Sequence, residues 1–251
     1  VITVVAACSK QKPSFGRLNV RSASHEAFGV HRSINRYLFT VFSLALALGT
    51  TPAAATAQQT DHLIIDGESV SLQTNPLAPL LRDGEIELPE PAEEWSSNWR
   101  GYIATWHVAS DQLVLAKVEV LLRPADAPEK SRAVATDVLP MLFEGKSEVP
   151  ASWYSGTLVI PRGEVVNYVH MGYASTHERY TVLQVTRGRI DSRRELSAAE
   201  YEVLRKERFA KFKLTPEYAR LMEELSPGSS VIEAEEFLYE YAVEEYISVA
   251  Q

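Results

Sequence analysis

The densest group of reactive side chains in this sequence is Tyr168-Val169-His170-Met171-Gly172-Tyr173-Ala174-Ser175-Thr176-His177-Glu178-Arg179. It sets two His, two Tyr, a Ser, a Glu and an Arg around one turn at Gly172-Tyr173-Ala174-Ser175. If Val165–Met171 and Arg179–Val185 are paired strands, His170 and His177 lie across that turn from one another. Cross-strand neighbours stand about 5 Å apart, so both imidazoles can face one pocket. Such a pair suits a metal ion or a general acid and base. No third ligand accompanies it at a fixed spacing, and the sequence has no HExxH, paired CxxC or GxSxG. Ser175 and His177 are two residues apart, a spacing at which nucleophile and base meet only in a special backbone. The alternative is that these groups hydrogen-bond one another and fix the loop. His170, Tyr173, Ser175, His177, Glu178 and Arg179 are therefore ligand-binding candidates, with no catalytic residue assigned and neither a metal nor a cofactor expected.

Three of the four Trp, Trp95, Trp99 and Trp106, fall within twelve residues, with Tyr102 between them. Trp106 sits on an apolar strand pattern and is expected in the core. Trp95 and Trp99, beside an acidic stretch, are the pair that could stack on a sugar ring. Arg100, Arg162 and Arg179 each border an expected strand and could hold an anion, although pairing with the chain's many carboxylates is the simpler reading. Arg187, Arg189, Arg193 and Arg194 make a basic patch without interleaved aromatics, which is not the pattern of a nucleic-acid surface.

Strands must position most of these groups. Leu63–Val70 reads as two short strands around Asp66-Gly67, a dipeptide suited to the positive φ angles of a tight hairpin. Asn75-Pro76 and Pro79 then end regular structure, and 82–98 reads as an exposed acidic loop. Tyr102–Val108 and Leu113–Leu121 form the clearest hairpin, turning at Ala109-Ser110-Asp111-Gln112. Residues 131–143 are ambiguous because Pro140 interrupts a helix there. Trp153–Ile160 is a strand ended by Pro161-Arg162-Gly163, and Arg187-Gly188 is a further turn. After Asp191 the pattern becomes helical. Ser197 with Glu200 forms a capping box, Thr215-Pro216-Glu217 starts a second helix, and a last helix follows Ser230. Many strands followed by helices imply an α+β fold, a mainly antiparallel β-sheet or sandwich with a C-terminal helical segment. The β-rich domain is expected over 58–195, with 196–251 as a helical tail packed on it.

At the front of the chain Arg32 and Arg36 precede an apolar run from Tyr37 to Leu48, and Ala55-Thr56-Ala57 supplies small residues before a cleavage point. This order is that of a secretory signal peptide over 30–57. Its apolar run is shorter than the roughly 20 residues of a transmembrane helix. Residues 1–29 read as an upstream artefact or a disordered segment. Val5-Ala6-Ala7-Cys8 is similar to a lipoprotein cleavage site, but without the basic residues that precede one. Six of the 25 basic residues and one of the 33 acidic ones lie before residue 58, leaving 19 and 32, a net charge of −13, and no Cys. A Cys-free exported domain is held by its core alone, and a chain of this size can bury about 70% of its unfolded surface. The charge argues against nucleic acid and anionic membranes and favours a cationic ligand or basic partner.

Arg100-Gly101-Tyr102-Ile103-Ala104-Thr105-Trp106, Trp153-Tyr154-Ser155-Gly156-Thr157-Leu158 and Tyr168-Val169-His170-Met171-Gly172-Tyr173 together resemble a family of uncharacterised bacterial exported proteins. In that family an RGYxATW strand, a WxxGxL strand and a YVHMGY turn follow one another. The resemblance spans roughly 62–195 and implies a domain boundary without an activity.

These features point to an exported, non-catalytic binding or interaction protein, in a periplasm or outside the cell. One version is a protective, immunity-type partner; the ligand is another protein or a small molecule. The alternatives are a hydrolase or metal-dependent enzyme built on the His170/His177 turn, and a carbohydrate-binding module using Trp95 and Trp99.

Overall fold

A computed structural model describes residues 58–90, 97–124, 126, 128, 131–169, 171–227 and 229–248. The expected signal peptide, Cys8, Trp95 and His170 lie outside the described residues.

The chain enters the sheet as a hairpin, β1 (Asp61–Ile65) and β2 (Glu68–Leu72), turned by Asp66 and Gly67 at φ 54° and 79°. Asp61, Leu63 and Ile65 face inward while His62 and Ile64 do not, the two-residue period of a half-buried strand. Pro79 ends the extended chain as expected, but it does so inside the first turn of a short helix, α1 (Ala78–Arg82), where its missing N–H costs nothing. The central hairpin is β3 (Ile103–Ala109) and β4 (Gln112–Leu122), with Ser110 and Asp111 at φ 49° and 64°. The ambiguous stretch after it divides into β5 (Val134–Asp137) and α2 (Leu139–Leu142), Pro140 again lying in a first helical turn. A two-residue strand, β6 (Val149–Pro150), also joins β4.

Two expectations need correction. The strand expected to stop at Pro161-Arg162-Gly163 continues as β7 (Gly156–Asn167). β7 ends the strand order, so Pro161 removes no ladder hydrogen bond. A register shift between Arg162 and Val165 absorbs Gly163, which lies at φ 76°. The helical pattern placed after Asp191 begins only at residue 198. β8 (Thr176–Thr186) turns at Arg187-Gly188 into β9 (Arg189–Ser197), whose exposed charges hide its strand period.

The strand order is β2-β1-β3-β4-β9-β8-β7, with β5 and β6 on β4. The described pairs are antiparallel except β1 with β3, which makes the sheet mixed and the fold α+β. The two ends of the order meet. Gln73 N–H donates to the Val159 carbonyl at 2.8 Å, and Val159 N–H donates to Thr74 Oγ1 at 3.4 Å. The sheet therefore curls around an interior core that contains Leu63, Trp106, Leu115, Leu158, Ile160 and Leu183.

A second core lies on the other face of β7–β9, where Val159, Tyr180, Val182 and Leu196 meet the helices. Those helices are α3 (Ala198–Phe212), α4 (Pro216–Leu225), α5 (Val231–Tyr241) and α6 (Val243–Ile247). Ser197 with Glu200 and Ser230 with Glu233 form complete capping boxes, and Thr215 caps α4. Among the described residues no helix is long and apolar enough to cross a membrane.

Candidate functional site

The turn between β7 and β8 is pinned from within. Ser175 Oγ accepts from Val169 N–H at 3.0 Å and donates to the Val169 carbonyl at 3.1 Å, which locks the two sides of the turn together. Tyr173 is buried and its hydroxyl donates to Asn75 Oδ1 at 2.9 Å. His177 is half-buried; its N–H donates to the Tyr180 hydroxyl at 2.8 Å and its ring meets Tyr180 edge-on. Burial holds the imidazole below its ordinary pKa, a hydrogen bond with the Gly163 backbone opposing it. Glu178 and Arg179 are exposed. A Glu178 carboxylate oxygen accepts from Glu164 N–H at 3.2 Å and lies against Gly163, where a Cβ would collide with it. Arg179 stands opposite Arg162 in the ladder. The structure thus joins Ser175 to Val169, Glu178 to the Gly163 bulge and Tyr173 to a residue 98 positions away. Trp99 is half-buried, and its N–H donates to Gln58 Oε1 at 3.4 Å.

That distant contact leads to a junction the sequence did not single out. Asp61 opens β1 and is 0% exposed. Its carboxylate accepts from Arg100 Nη1 at 2.8 Å, Ala104 N–H at 3.1 Å and Trp106 Nε1 at 3.0 Å. Asn75 Oδ1 accepts from Arg100 Nη1 at 2.7 Å as well as from Tyr173. Arg100 Nη2 donates to the Gln59 carbonyl at 2.9 Å, and the guanidinium lies 4.8 Å from the centre of the Tyr102 ring. Gly101, at φ 76°, makes the bend that sends Arg100 back over Tyr102. The strand period then places Tyr102, Ala104 and Trp106 on one face, the face that meets Asp61. The RGYxATW segment and the turn containing Tyr173 are therefore joined through Asn75, which accepts from both, while Asp61 beside it takes the donors of the RGYxATW segment. The available signal was an Arg, a Tyr and a Trp at even spacing, whose polar tips need a buried acceptor once the strand is buried.

Burial opposes the charge on Arg100, but Asp61, Tyr173 and Tyr102 together more than offset it and the guanidinium stays charged. Burial pushes the Tyr102 and Tyr173 phenols up, so both are neutral. Glu244, on α6, lies within electrostatic reach of Arg100 and Tyr173. Burial, and next Glu245, pushes its carboxyl up to about 7. Among the described residues no three His, Cys, Asp or Glu side chains come together as a metal site. The junction is chemically a charge-balanced fastening, and it holds the turn that carries the sequence's candidate residues.

No family model, no curated protein and no solved structure matches this chain.

Proposed function

We propose that this chain is an exported, non-catalytic binding protein whose partner is another protein outside the cytosol, a protective role being one version. The contact surface in this reading is the arm formed by the far end of β7 and the start of β8. One observation carries it: Val165, Val166 and Tyr168 are 48%, 65% and 54% exposed within four consecutive residues of a segment whose turn is pinned by Ser175 and Tyr173. An apolar and aromatic surface held in one conformation loses little entropy on binding, which is how a small patch yields affinity. Tyr and Arg are favoured anchors at such surfaces, and Arg179 supplies the second type. Exposed Glu164 and Glu178 flank the patch, and with the net acidic charge of the chain they favour a basic partner.

The test is affinity capture of the partner from the exported protein fraction of the producing cell. The wild-type chain is expected to retain one partner in fixed ratio, with Tyr168→Ala and Val166→Glu each reducing capture at least about tenfold. Ile232→Glu, at an equally exposed position on α5, is expected to leave it unchanged. Equal capture by all three variants, or no specific capture at any ionic strength, would refute the reading.

A further inference from the structure

Tyr241, Ala242, Val243 and Glu244 form the corner between α5 and α6, and this corner is seated on the Met171–Ser175 turn. Gly172 lies at φ 52°, and a Cβ there would stand 2.5 Å from the Tyr241 carbonyl oxygen, so the two backbones touch. Val243 is buried and anchors the corner, while Ala242 breaks the helix with φ −110° and ψ 45°. Into this contact Glu244 brings a carboxyl group whose Oε2 is shielded and has no hydrogen-bond partner among the described residues. Arg100 is nearby, but its two terminal nitrogens serve Asp61, Asn75 and Gln59, and neither its Nε nor the Tyr102 hydroxyl, both buried and without a partner among the described residues, makes a hydrogen bond to Glu244. A neutral carboxyl tolerates such a position, whereas a carboxylate loses its hydration with little in return.

We propose that Glu244 is a proton-operated clasp that seats the α5–α6 corner on the Met171–Ser175 turn, firm when its carboxyl is protonated and loosened when it ionises. The groups around it set the direction. Asp61 on β1, Arg100 and Tyr102 ahead of β3, and Tyr173 ahead of β8 make up the cluster beside Glu244. Glu245, its neighbour on α6, is itself pushed up by burial, and it faces Arg82 on α1 and Glu217 and Arg220 on α4. Burial and Glu245 raise the Glu244 carboxyl from 4.5 to about 7, with Arg100 opposing. A raised carboxyl binds its proton more tightly when seated than when released. The clasp is therefore at full strength below the ordinary value, weakens as pH rises toward the raised one, and stays weak above it. Across that window the balance between seated and released corner moves by roughly two orders of magnitude. Because the turn fixes the arm, loosening it would weaken partner binding as pH rises. That consequence rests on the binding reading above; the clasp does not, since it belongs to the isolated chain.

Hydrogen exchange of the full chain without partner tests the clasp, with rates corrected for intrinsic pH dependence. Protection of 171–175 and 241–247 is expected to fall at least about tenfold between roughly pH 5 and pH 8, while β3 and β4 keep theirs. Glu244→Gln is expected to abolish the fall. A carbon-13 titration of the Glu244 side chain in the wild type gives a readout that needs no variant, with an expected midpoint near 7. Protection that does not change with pH, an equal fall in Glu244→Gln, or an unshifted carboxyl midpoint would each overturn the proposal. Loss of partner capture with the pH response intact would count against the binding reading alone.

Discussion

Asp61 and Glu244 are both carboxyl groups carried beside Arg100, one at the start of β1 and the other in the last helix. Asp61 accepts three hydrogen bonds, one of them from the guanidinium itself, while Glu244 has a shielded oxygen that accepts none among the described residues. Burying a charge costs several kcal/mol, and close donors recover that cost only when they are aimed at the charge. β1 and β3 run parallel and side by side, which aims the donors of Arg100, Ala104 and Trp106 at Asp61. α6 approaches the same cluster from outside, and no donor of the cluster is aimed at Glu244 Oε2. Two carboxyls near one Arg thus acquire opposite roles: a permanent fastening and a group whose charge state decides whether the contact holds.

Substitutions that remove or equalise the two carboxyls sharpen this contrast. Asp61→Ala is expected to have the largest effect, about 3–5 kcal/mol of lost stability by chemical denaturation, because it leaves Arg100 charged and Trp106 Nε1 buried without an acceptor. Glu244→Gln is expected to act in the other direction. It should raise stability by roughly 1–3 kcal/mol near pH 8 and by almost nothing at about pH 4, where the carboxyl is mostly neutral in the folded and the unfolded chain alike. Gly172→Ala should cost about 1–3 kcal/mol, since it adds a Cβ at positive φ against the Tyr241 carbonyl, and proteolysis should then begin in the Met171–Ser175 turn. Ser175→Ala should cost about 1 kcal/mol, the worth of its hydrogen bonds to Val169, measured as a shift in the denaturation midpoint. A loss from Asp61→Ala no larger than that from Ser175→Ala would break the comparison.

The hairpin turns, the Ser197–Glu200 capping box and the α+β class were legible because each rests on neighbours in sequence. Asp66-Gly67 needs only its own backbone, and Ser197 with Glu200 needs one helical turn. β9 was missed because its exposed charges leave too few apolar residues to show the strand period. The candidate turn was legible as chemistry but not as construction. Ser175 meets Val169 locally, whereas Tyr173 depends on Asn75, whose amide the sequence marks only as part of a turn. Asp61 carried no signal by itself, since a single Asp at the head of a strand is usually at the surface. Its burial follows from the β1–β3 pairing, which joins residues more than forty positions apart.

The most direct test of the proposed role places a photoreactive side chain at residue 166 in one preparation and at residue 232 in another. The two positions are similarly exposed, 65% and 70%, so the comparison separates the arm from exposure as such. The account predicts one cross-linked partner from position 166, none from 232, and loss of the 166 product when Tyr168 is replaced by Ala. Equal labelling from both positions, or a partner captured from 232 alone, would contradict it.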